Sequence, residues 1–426
     1  MADSSGLWLA ERTLPLRWQI SMWRAGAVAL SALCSVAAVQ AGSELGSGID
    51  NDRLLPGLYP QEPAELPVEI DWSIGLRGTL TKATSGERFD VNLLPELTLI
   101  HEGSRSMLEL TGSAEVTRPD EGNIDVTGLR LGARGGYALD SQTRLTATSN
   151  LSLTRALAGT PGIASNIVIA PQTFTGGASL GVSRQFGRFN VGVTGAVERN
   201  AYGPTTFMGG TSADNSERDV WSLDAGLRIG YQATPIFEVF GQAGLGRDLF
   251  DKPSPSLLVK TDATDTTLEA GLTGRWSDTL EATVSTGIGL RRFDAPGLDE
   301  VVSQLYDASV SFTPNETWRA TAAFGTTVAP PGPDSGGTTR IQYDAKAEVN
   351  YRVNSWLALR TFADWTSASS VGIADTETGH GFGVGANYLV STHTSLSADY
   401  GYSQSQSTAD GFQDAHRVTV GVTLAR

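Results

Sequence analysis

The sequence predicts an all-β protein, a transmembrane antiparallel up-and-down β-barrel of about 18 strands. Three observations favour this fold class. Long segments alternate apolar with polar residues, the connections between them alternate between short and long, and aromatic residues cluster beside the short connections. Together they are typical of a sheet that closes on itself in a membrane, where lipid cannot satisfy an open strand edge.

Composition and charge disfavour several other classes of protein. The 426 residues include 49 glycines, 18% are charged, and the formal net charge is −15. We expect no nucleic-acid partner, because a phosphate backbone calls for a basic protein surface. Cys34 is the single cysteine, so no disulfide within the chain and no Cys-based metal site is available. No metal and no cofactor are expected.

The N-terminal region predicts export. Residues 24–38 form an apolar run after a basic residue, and small residues follow it, as at a signal-peptide cleavage site. A membrane-anchoring helix is the alternative, but it needs roughly 20 apolar residues and this run is shorter. We therefore predict a signal peptide at 1–41, with Met22 as an alternative start to Met1. A periplasmic leader at 42–67 and a barrel at 68–426 follow.

The predicted strands show period-two alternation over about 12 to 16 residues. Period two places alternate residues on opposite faces of a strand, whereas a helix would mix the two sets. Strands of soluble sandwiches typically have about half this length. A clear example is the segment 341–352, with Ile341, Tyr343, Ala345, Ala347, Val349 and Tyr351 on one face and Gln342, Asp344, Lys346, Glu348, Asn350 and Arg352 on the other.

The connections predict which end of each strand faces the periplasm. Outer-membrane barrels have short periplasmic turns and longer extracellular loops, and an even strand number returns both termini to the periplasm. Short connections fall near residues 102, 140, 187, 233, 277, 314, 354 and 392. Longer connections fall near 157–170, 203–215, 251–262, 295–300, 331–337, 370–376 and 406–411.

Aromatic residues predict a girdle at the periplasmic rim. Barrel strands carry Trp, Tyr and Phe where they cross the membrane interface. The aromatic residues that lie within a few positions of a short turn are Tyr137, Phe186, Phe189, Tyr231, Phe237, Trp276, Phe312, Trp318, Tyr351, Trp356 and Tyr388.

The sequence offers little support for catalysis. Gly177 to Gly181 matches the pattern of a hydrolase nucleophile elbow, but that elbow needs a strand-to-helix turn, and Ser179 lies inside an alternating strand. Of the four histidines, His380 near Asp375 and Glu377 is the only arrangement worth naming, and a solvated loop is the favoured interpretation. We predict that the protein is not an enzyme.

The polar face of the strands is the candidate functional site. Charged side chains at membrane depth cost several kcal/mol unless they face water or one another, so we expect them to line the lumen. Two interpretations stay open: a water-filled pore that filters solutes by size and sign, or charges that pair across strands and fill a narrow barrel. The candidate pore-lining residues are Arg77, Arg130, Arg134, Asp224, Arg228, Glu269, Arg275, Glu281, Asp344, Lys346, Glu348, Arg352, Arg360 and Asp364.

The C-terminal third carries a family resemblance. Residues 381–388, 396–402 and the final strand 416–424 resemble the "putative β-barrel porin 2" family of proteobacterial outer-membrane proteins, and the similarity in strand pattern covers roughly 68–426. The resemblance implies an outer-membrane location and, for some members, a role in surface-polysaccharide export. Expected partners are outer-membrane lipids and lipopolysaccharide, the barrel-insertion machinery, and components of polysaccharide export.

These observations lead to one favoured function and several alternatives. We expect a porin-like channel of the bacterial outer membrane for passive diffusion or export of hydrophilic solutes. The alternatives are a dedicated channel for surface or exopolysaccharide export, and a structural or adhesin barrel closed by its loops.

Overall fold

A computed structural model describes residues 68–84, 86–120, 123–157, 160, 163–164, 166–332, 336–408 and 411–426. The predicted signal peptide at 1–41 and leader at 42–67 lie outside the described residues. Within the described ranges, no helix is both long and apolar enough to cross a membrane.

Eighteen long strands form one closed antiparallel barrel. Each long strand pairs with the next, and the last pairs with the first, so the predicted fold class is confirmed. The barrel strands are β1 (Val68–Ala83), β2 (Gly86–Glu102), β3 (Ser106–Pro119), β4 (Asp125–Ala138), β5 (Thr143–Arg155), β7 (Gln172–Phe186), β8 (Phe189–Tyr202), β11 (Val220–Gln232), β12 (Phe237–Phe250), β13 (Ala263–Trp276), β14 (Leu280–Phe293), β15 (Val301–Asn315), β16 (Trp318–Ala329), β17 (Thr339–Arg352), β18 (Leu357–Val371), β19 (Asp375–Ser391), β20 (Thr394–Ser407) and β21 (Gly411–Ala425).

The seam between β1 and β21 closes the barrel. The two strands pair from Ser73 opposite Ala425 to Ala83 opposite Ala415. On the inner face the hydroxyl groups of Thr79 and Thr419 lie 3.2 Å apart. Closure leaves neither strand with an unpaired edge, which is what lipid on the outside requires.

The alternation of the sequence produces two faces of different chemistry. Large apolar side chains at every second position point outward and are exposed, for example Leu268 and Leu272 on β13. The intervening residues, such as Glu269 and Thr273, point into the barrel. Strands of 12–17 residues are long enough to cross a membrane at the tilt of a barrel.

Side-chain caps explain several of the short turns. The Oδ1 atoms of Asp140, Asn315 and Asn354 each accept hydrogen bonds from the backbone N–H groups two and three residues ahead, at 2.7–3.0 Å. Asp and Asn favour turns because their short side chains replace a backbone acceptor in this way. The sequence therefore fixes these turns locally.

Aromatic residues pair across strands beside the short turns. Phe189 contacts Tyr231, and Trp318 contacts Tyr351, with ring centroids 5.0 and 4.5 Å apart. Phe237 with Trp276 and Trp356 with Tyr388 pair likewise on the outer face. These rings form the predicted band of aromatic residues at the short-turn end of the barrel.

The opposite rim carries loops of very unequal length. Loop 156–171 contains β6 (Ile167–Ile169), and loop 203–219 contains β9 (Thr205–Phe207) and β10 (Ser212–Ala213). The three short strands form a second sheet in the order β10, β9, β6. The two longest connections thus pack against each other above the barrel wall.

Two predicted long loops are short. The prediction placed loops at 370–376 and 406–411, but β18 and β19 are separated only by 372–374, and β20 and β21 only by 408–410. The strands continue because Ser370 pairs with Asp375 and Ser407 pairs with Gly411. Ser, Thr and Asp near the strand ends made this part of the strands resemble a loop.

The inner face of β11 to β15 is apolar at the end of the barrel that carries the loops. Inward residues at the loop ends of β11 to β15 are buried rather than exposed to the lumen. Ala263, Phe293 and Val301 pack together, and Leu298 from loop 294–300 packs against them. The buried apolar residues at this level are Val220, Phe250, Ala263, Phe293 and Val301. Loop 294–300 therefore folds inward over this wall.

Candidate pore lining

All fourteen candidate pore-lining residues lie on the inner face of the barrel. Their positions follow from the strand registers, because each one alternates with outward apolar residues on its own strand. They occupy β1, β4, β11, β13, β14, β17 and β18. The structure thus brings them to one surface, although they come from distant parts of the sequence.

A large cavity lies against this inner face. Its volume is about 1110 Å³, and side chains from eight successive long strands, β11 to β18, line it. Arg228 lies at one edge of the lining and Asp364 at the other. Eight of eighteen strands is nearly half of the circumference, so the cavity follows nearly half of the barrel wall.

A row of alternating charges follows the wall from β11 to β14. The Arg228 guanidinium lies 2.7 Å from Glu238, which also contacts Arg275 at 3.3 Å. Arg275 in turn lies 3.2 Å from Glu281. These residues come from four neighbouring strands, so the row joins them across the sheet in the manner of cross-strand pairs.

Arg291 is the most buried charge of the wall. Its side chain is 1% exposed, and it contacts Asp248 on β12 and Asp265 on β13, each at 2.7 Å. Arg291 also lies over the ring of Phe293, with 5.6 Å from its Cζ atom to the ring centroid. Burial is tolerated because two carboxylates and a ring face surround the guanidinium group.

Carboxylates outnumber basic groups on the inner face of β8 to β15. Among the described residues this wall carries eight carboxylates and three guanidinium groups. The inward acids are Glu198, Asp224, Glu238, Asp248, Asp265, Glu269, Glu281 and Asp307. Four of them have no basic partner within the described part of the chain, namely Glu198, Asp224, Glu269 and Asp307. The wall is therefore a negatively charged surface.

The sequence interpretation missed several of these inner-face groups. The candidate set lacked four carboxylates whose side chains point into the barrel, namely Glu238, Asp248, Asp265 and Asp307. Alternation applied to every strand would have found them. The partner of Arg291, by contrast, depends on the register between strands, and no local pattern reveals that register.

The wall from β17 to β20 is closer to electrical balance. Lys346 and Asp364 are register partners on β17 and β18. Arg360 contacts Asp399 at 3.2 Å, and both side chains remain partly exposed to the lumen. Between them β19 contributes a column of inward glycines, over which the side chains of Phe362, Asp364 and Asp399 lie.

Ile163 of loop 156–171 lies beside the wall at β21. The Gln413 side chain on β21 donates a hydrogen bond to the Ile163 carbonyl group at 3.3 Å. The loop leaves the wall at β5, so it reaches past β1, β2, β3 and β4 to make this contact. Asn215 holds the companion loop through hydrogen bonds to Gly203 and Thr205 at 2.7 and 2.9 Å.

Carboxylates outside the strands have shifted pKa values. Hydrogen bonds from Ser216 and from Arg247 lower the pKa values of Asp214 and Asp294, respectively. Burial raises the pKa of Asp219 to about 6, although it accepts a hydrogen bond from a backbone N–H group. Loop carboxylates thus differ in charge as the medium becomes mildly acidic.

The two groups of residues that could suggest catalysis, around Ser179 and around His380, do not form a catalytic site among the described residues. Ser179 lies in mid-strand and shares a 2.6 Å hydrogen bond with Thr148. His380 belongs to β19 rather than to a loop and pairs with Trp365 on the outer face, whereas Asp375 and Glu377 lie on the inner face. The described residues contain no group of three or more His, Cys, Asp and Glu side chains placed to hold a metal ion.

A closed barrel with a charged interior and one side of long loops defines a porin-like channel of the Gram-negative outer membrane. The chain belongs to the family described as "Putative beta-barrel porin 2", whose model matches residues 78–426. This match confirms the resemblance seen in the sequence.

Solved structures that match the chain include proteins of two organisms. The Pseudomonas aeruginosa protein OccK3 (OpdO) is 13% identical with a TM-score of 0.41, and the similarity covers 84% of this chain and 96% of that one. P. aeruginosa OpdK with vanillate is 10% identical with a TM-score of 0.43, and the similarity covers 84% of this chain and 99% of that one. The FrpB iron transporter of Neisseria meningitidis is 11% identical with a TM-score of 0.40, and the similarity covers 79% of this chain and 62% of that one. No curated protein matches the chain.

Proposed function

We propose that this barrel conducts small hydrophilic solutes by passive diffusion and prefers cations. The observation that carries the proposal is the open cavity lined by β11 to β18 beside a wall with an excess of carboxylates. In a water-filled lumen, a wall of one sign raises the local concentration of counter-ions and lowers that of ions of like charge.

Four inner carboxylates without a basic partner are the best candidates for this preference. Asp224 on β11 and Asp307 on β15 face the lumen without a hydrogen-bonding or ionic partner among the described residues. Paired groups such as Glu238 contribute less, because neighbouring guanidinium groups cancel most of their field. Selectivity should therefore depend on a small part of the charged lining.

Single-channel recording in a planar bilayer tests this proposal. Under a KCl gradient the reversal potential of the wild-type channel should indicate preference for K⁺ over Cl⁻. The double variant Asp224→Asn/Asp307→Asn should move that potential towards zero with little change in conductance. A barrel without conductance, or one with anion preference, would contradict the proposal.

A matched control removes the same charge elsewhere. Asp278→Asn/Glu316→Gln changes two carboxylates in short turns at the opposite rim and keeps the inner wall intact. Its reversal potential should remain close to that of the wild type. Equal shifts in the two double variants would show that net charge, rather than the inner wall, sets the selectivity.

Passage of a surface polysaccharide is a second candidate, and a separate feature supports it. Phe362 presents its ring on the lining of the cavity, and the Arg360 guanidinium lies beside it, 5.7 Å from Cζ to the ring centroid. An aromatic ring next to hydrogen-bond donors suits the apolar and hydroxylated sides of sugar rings. Uncharged oligosaccharides of increasing length should then block the current, and Phe362→Ala should weaken the block.

A further inference from the structure

The basic residues on the outside of the barrel are concentrated at one end. Outward positions of the strands carry seven Lys and Arg residues, and six lie within three residues of the strand end that leads into a loop. Only Arg184 lies near a short turn. The seven residues are Lys82, Arg118, Arg155, Arg184, Arg199, Arg247 and Arg292.

Three of these arginines form a row across neighbouring strands. Arg247 on β12 is the register partner of Thr264 on β13, and Thr264 is in turn the partner of Arg292 on β14. Arg199 on β8 lies opposite Trp221 on β11, the strand before β12. Strands lie about 4.8 Å apart, so successive arginines of this row are separated by roughly 10 Å along the rim.

The row sits where the apolar belt ends. Trp221 is an exposed outward residue, and the Arg199 guanidinium lies over its ring with 5.3 Å from Cζ to the centroid. Tryptophan favours the boundary between hydrocarbon and headgroups. Short turns face the periplasm in barrels of this type, so this boundary belongs to the outer leaflet.

Each arginine of the row also has a carboxylate beside it. Arg199 contacts Asp251, Arg247 contacts Asp294, and Arg292 contacts Glu300 at 3.4 Å. The exposed fraction of the side chain rises along the row, from 16% for Arg199, which also lies 3.5 Å from Asp219, to 35% for Arg247 and 69% for Arg292. A surface of alternating guanidinium and carboxylate groups complements a layer of phosphates bridged by divalent cations, because guanidinium binds phosphate and carboxylate binds Mg²⁺.

We propose that the row Arg199, Arg247 and Arg292 binds the phosphorylated headgroup of lipopolysaccharide in the outer leaflet. Guanidinium groups donate hydrogen bonds to the phosphates of the lipid A disaccharide, and the neighbouring carboxylates share a divalent cation with them. The acyl chains then lie along the apolar outer face of β8 to β14. This site is independent of conduction through the lumen and rests only on the membrane location.

Native mass spectrometry of the refolded full chain in detergent tests this site. The probes are bisphosphorylated lipid A, the same lipid without its phosphates, and phosphatidylglycerol, each with Mg²⁺. Wild-type protein should retain the bisphosphorylated lipid most strongly, and EDTA should weaken the binding. The triple variant Arg199→Gln/Arg247→Gln/Arg292→Gln should lose about tenfold in affinity, or about 1.4 kcal/mol.

A control variant separates this site from general charge. Arg105→Gln/Arg184→Gln/Arg188→Gln removes three guanidinium groups at the short-turn rim and should bind lipid A like the wild type. Heat-modified migration on gels would verify that every variant forms a barrel. Equal retention by the two triple variants, or equal binding of phosphorylated and dephosphorylated lipid, would overturn the proposal. Conductance of the same proteins tests the channel separately.

Discussion

Arg291 and Arg360 provide a comparison of two inward ion pairs that differ in burial. The Arg291 side chain is 1% exposed and contacts two carboxylates, whereas the Arg360 side chain is 49% exposed and contacts one carboxylate, that of Asp399. Removing one partner of a buried pair leaves an uncompensated charge and typically costs about 3–5 kcal/mol. Removing one partner of a solvated pair costs about 0–1 kcal/mol.

We therefore expect Arg291→Gln to lower the free energy of unfolding by about 3–5 kcal/mol, and Arg360→Gln by less than about 1 kcal/mol. Reversible urea unfolding in detergent micelles, followed by tryptophan fluorescence, measures both values. Neither change creates a large cavity, because Gln keeps part of the side chain and its hydrogen-bonding capacity. Both substitutions remove one positive charge from the same inner face.

The two carboxylates beside Arg291 allow the cause to be tested. Asp248→Asn/Asp265→Asn should restore much of the stability lost in Arg291→Gln, because it removes the charges that the arginine compensated. A double-mutant cycle isolates this coupling from the separate effects of each change. Equal losses for Arg291→Gln and Arg360→Gln, or no rescue by the asparagines, would refute the argument from burial.

Two further predictions concern the glycine column and a turn. Gly383 and Gly401 are register partners, but a Cβ at Gly383 would lie 2.5 Å from the Phe362 ring and one at Gly401 meets no atom within 4 Å. Gly383→Ala should cost about 1–3 kcal/mol in the same urea assay, with Gly401→Ala close to neutral. Backbone hydrogen bonding to Gln142 and Thr143 lowers the pKa of Asp140, so its contribution to stability is present above the ordinary pKa and is lost as pH falls through the lower folded-state value. Unfolding between pH 7 and pH 3 should show a smaller pH dependence in Asp140→Asn, and an unchanged dependence would contradict this.

The strand pattern was predictable because the membrane imposes it at every second residue. Lipid requires apolar outward residues such as Leu268, and water in the lumen favours polar inward residues such as Glu269. The alternation within each strand is therefore enough to predict the fold class. Short turns were predictable for a similar reason, since Asp140 and Asn354 fix the backbone next to them.

Other features depend on contacts that are distant in sequence. The burial of Arg291 requires the registers of three strands and the inward packing of a loop onto Phe293. The contact between Gln413 and Ile163 joins residues 250 positions apart. His380 also shows that residues close in sequence need not form one site, because alternation places Asp375 and Glu377 on the opposite face of the strand.

The seam between β1 and β21 has a consequence for the order of events during assembly. Hydrogen bonds there join the earliest and latest strands of the barrel, as in Thr79 with Thr419, 340 positions apart. Until the last strand is delivered, the growing sheet keeps two free edges that attract other strands. Barrel closure therefore competes kinetically with association between chains. A folding factor that binds both free edges would favour closure. Shortening β21 should slow that closure more than it weakens the finished barrel.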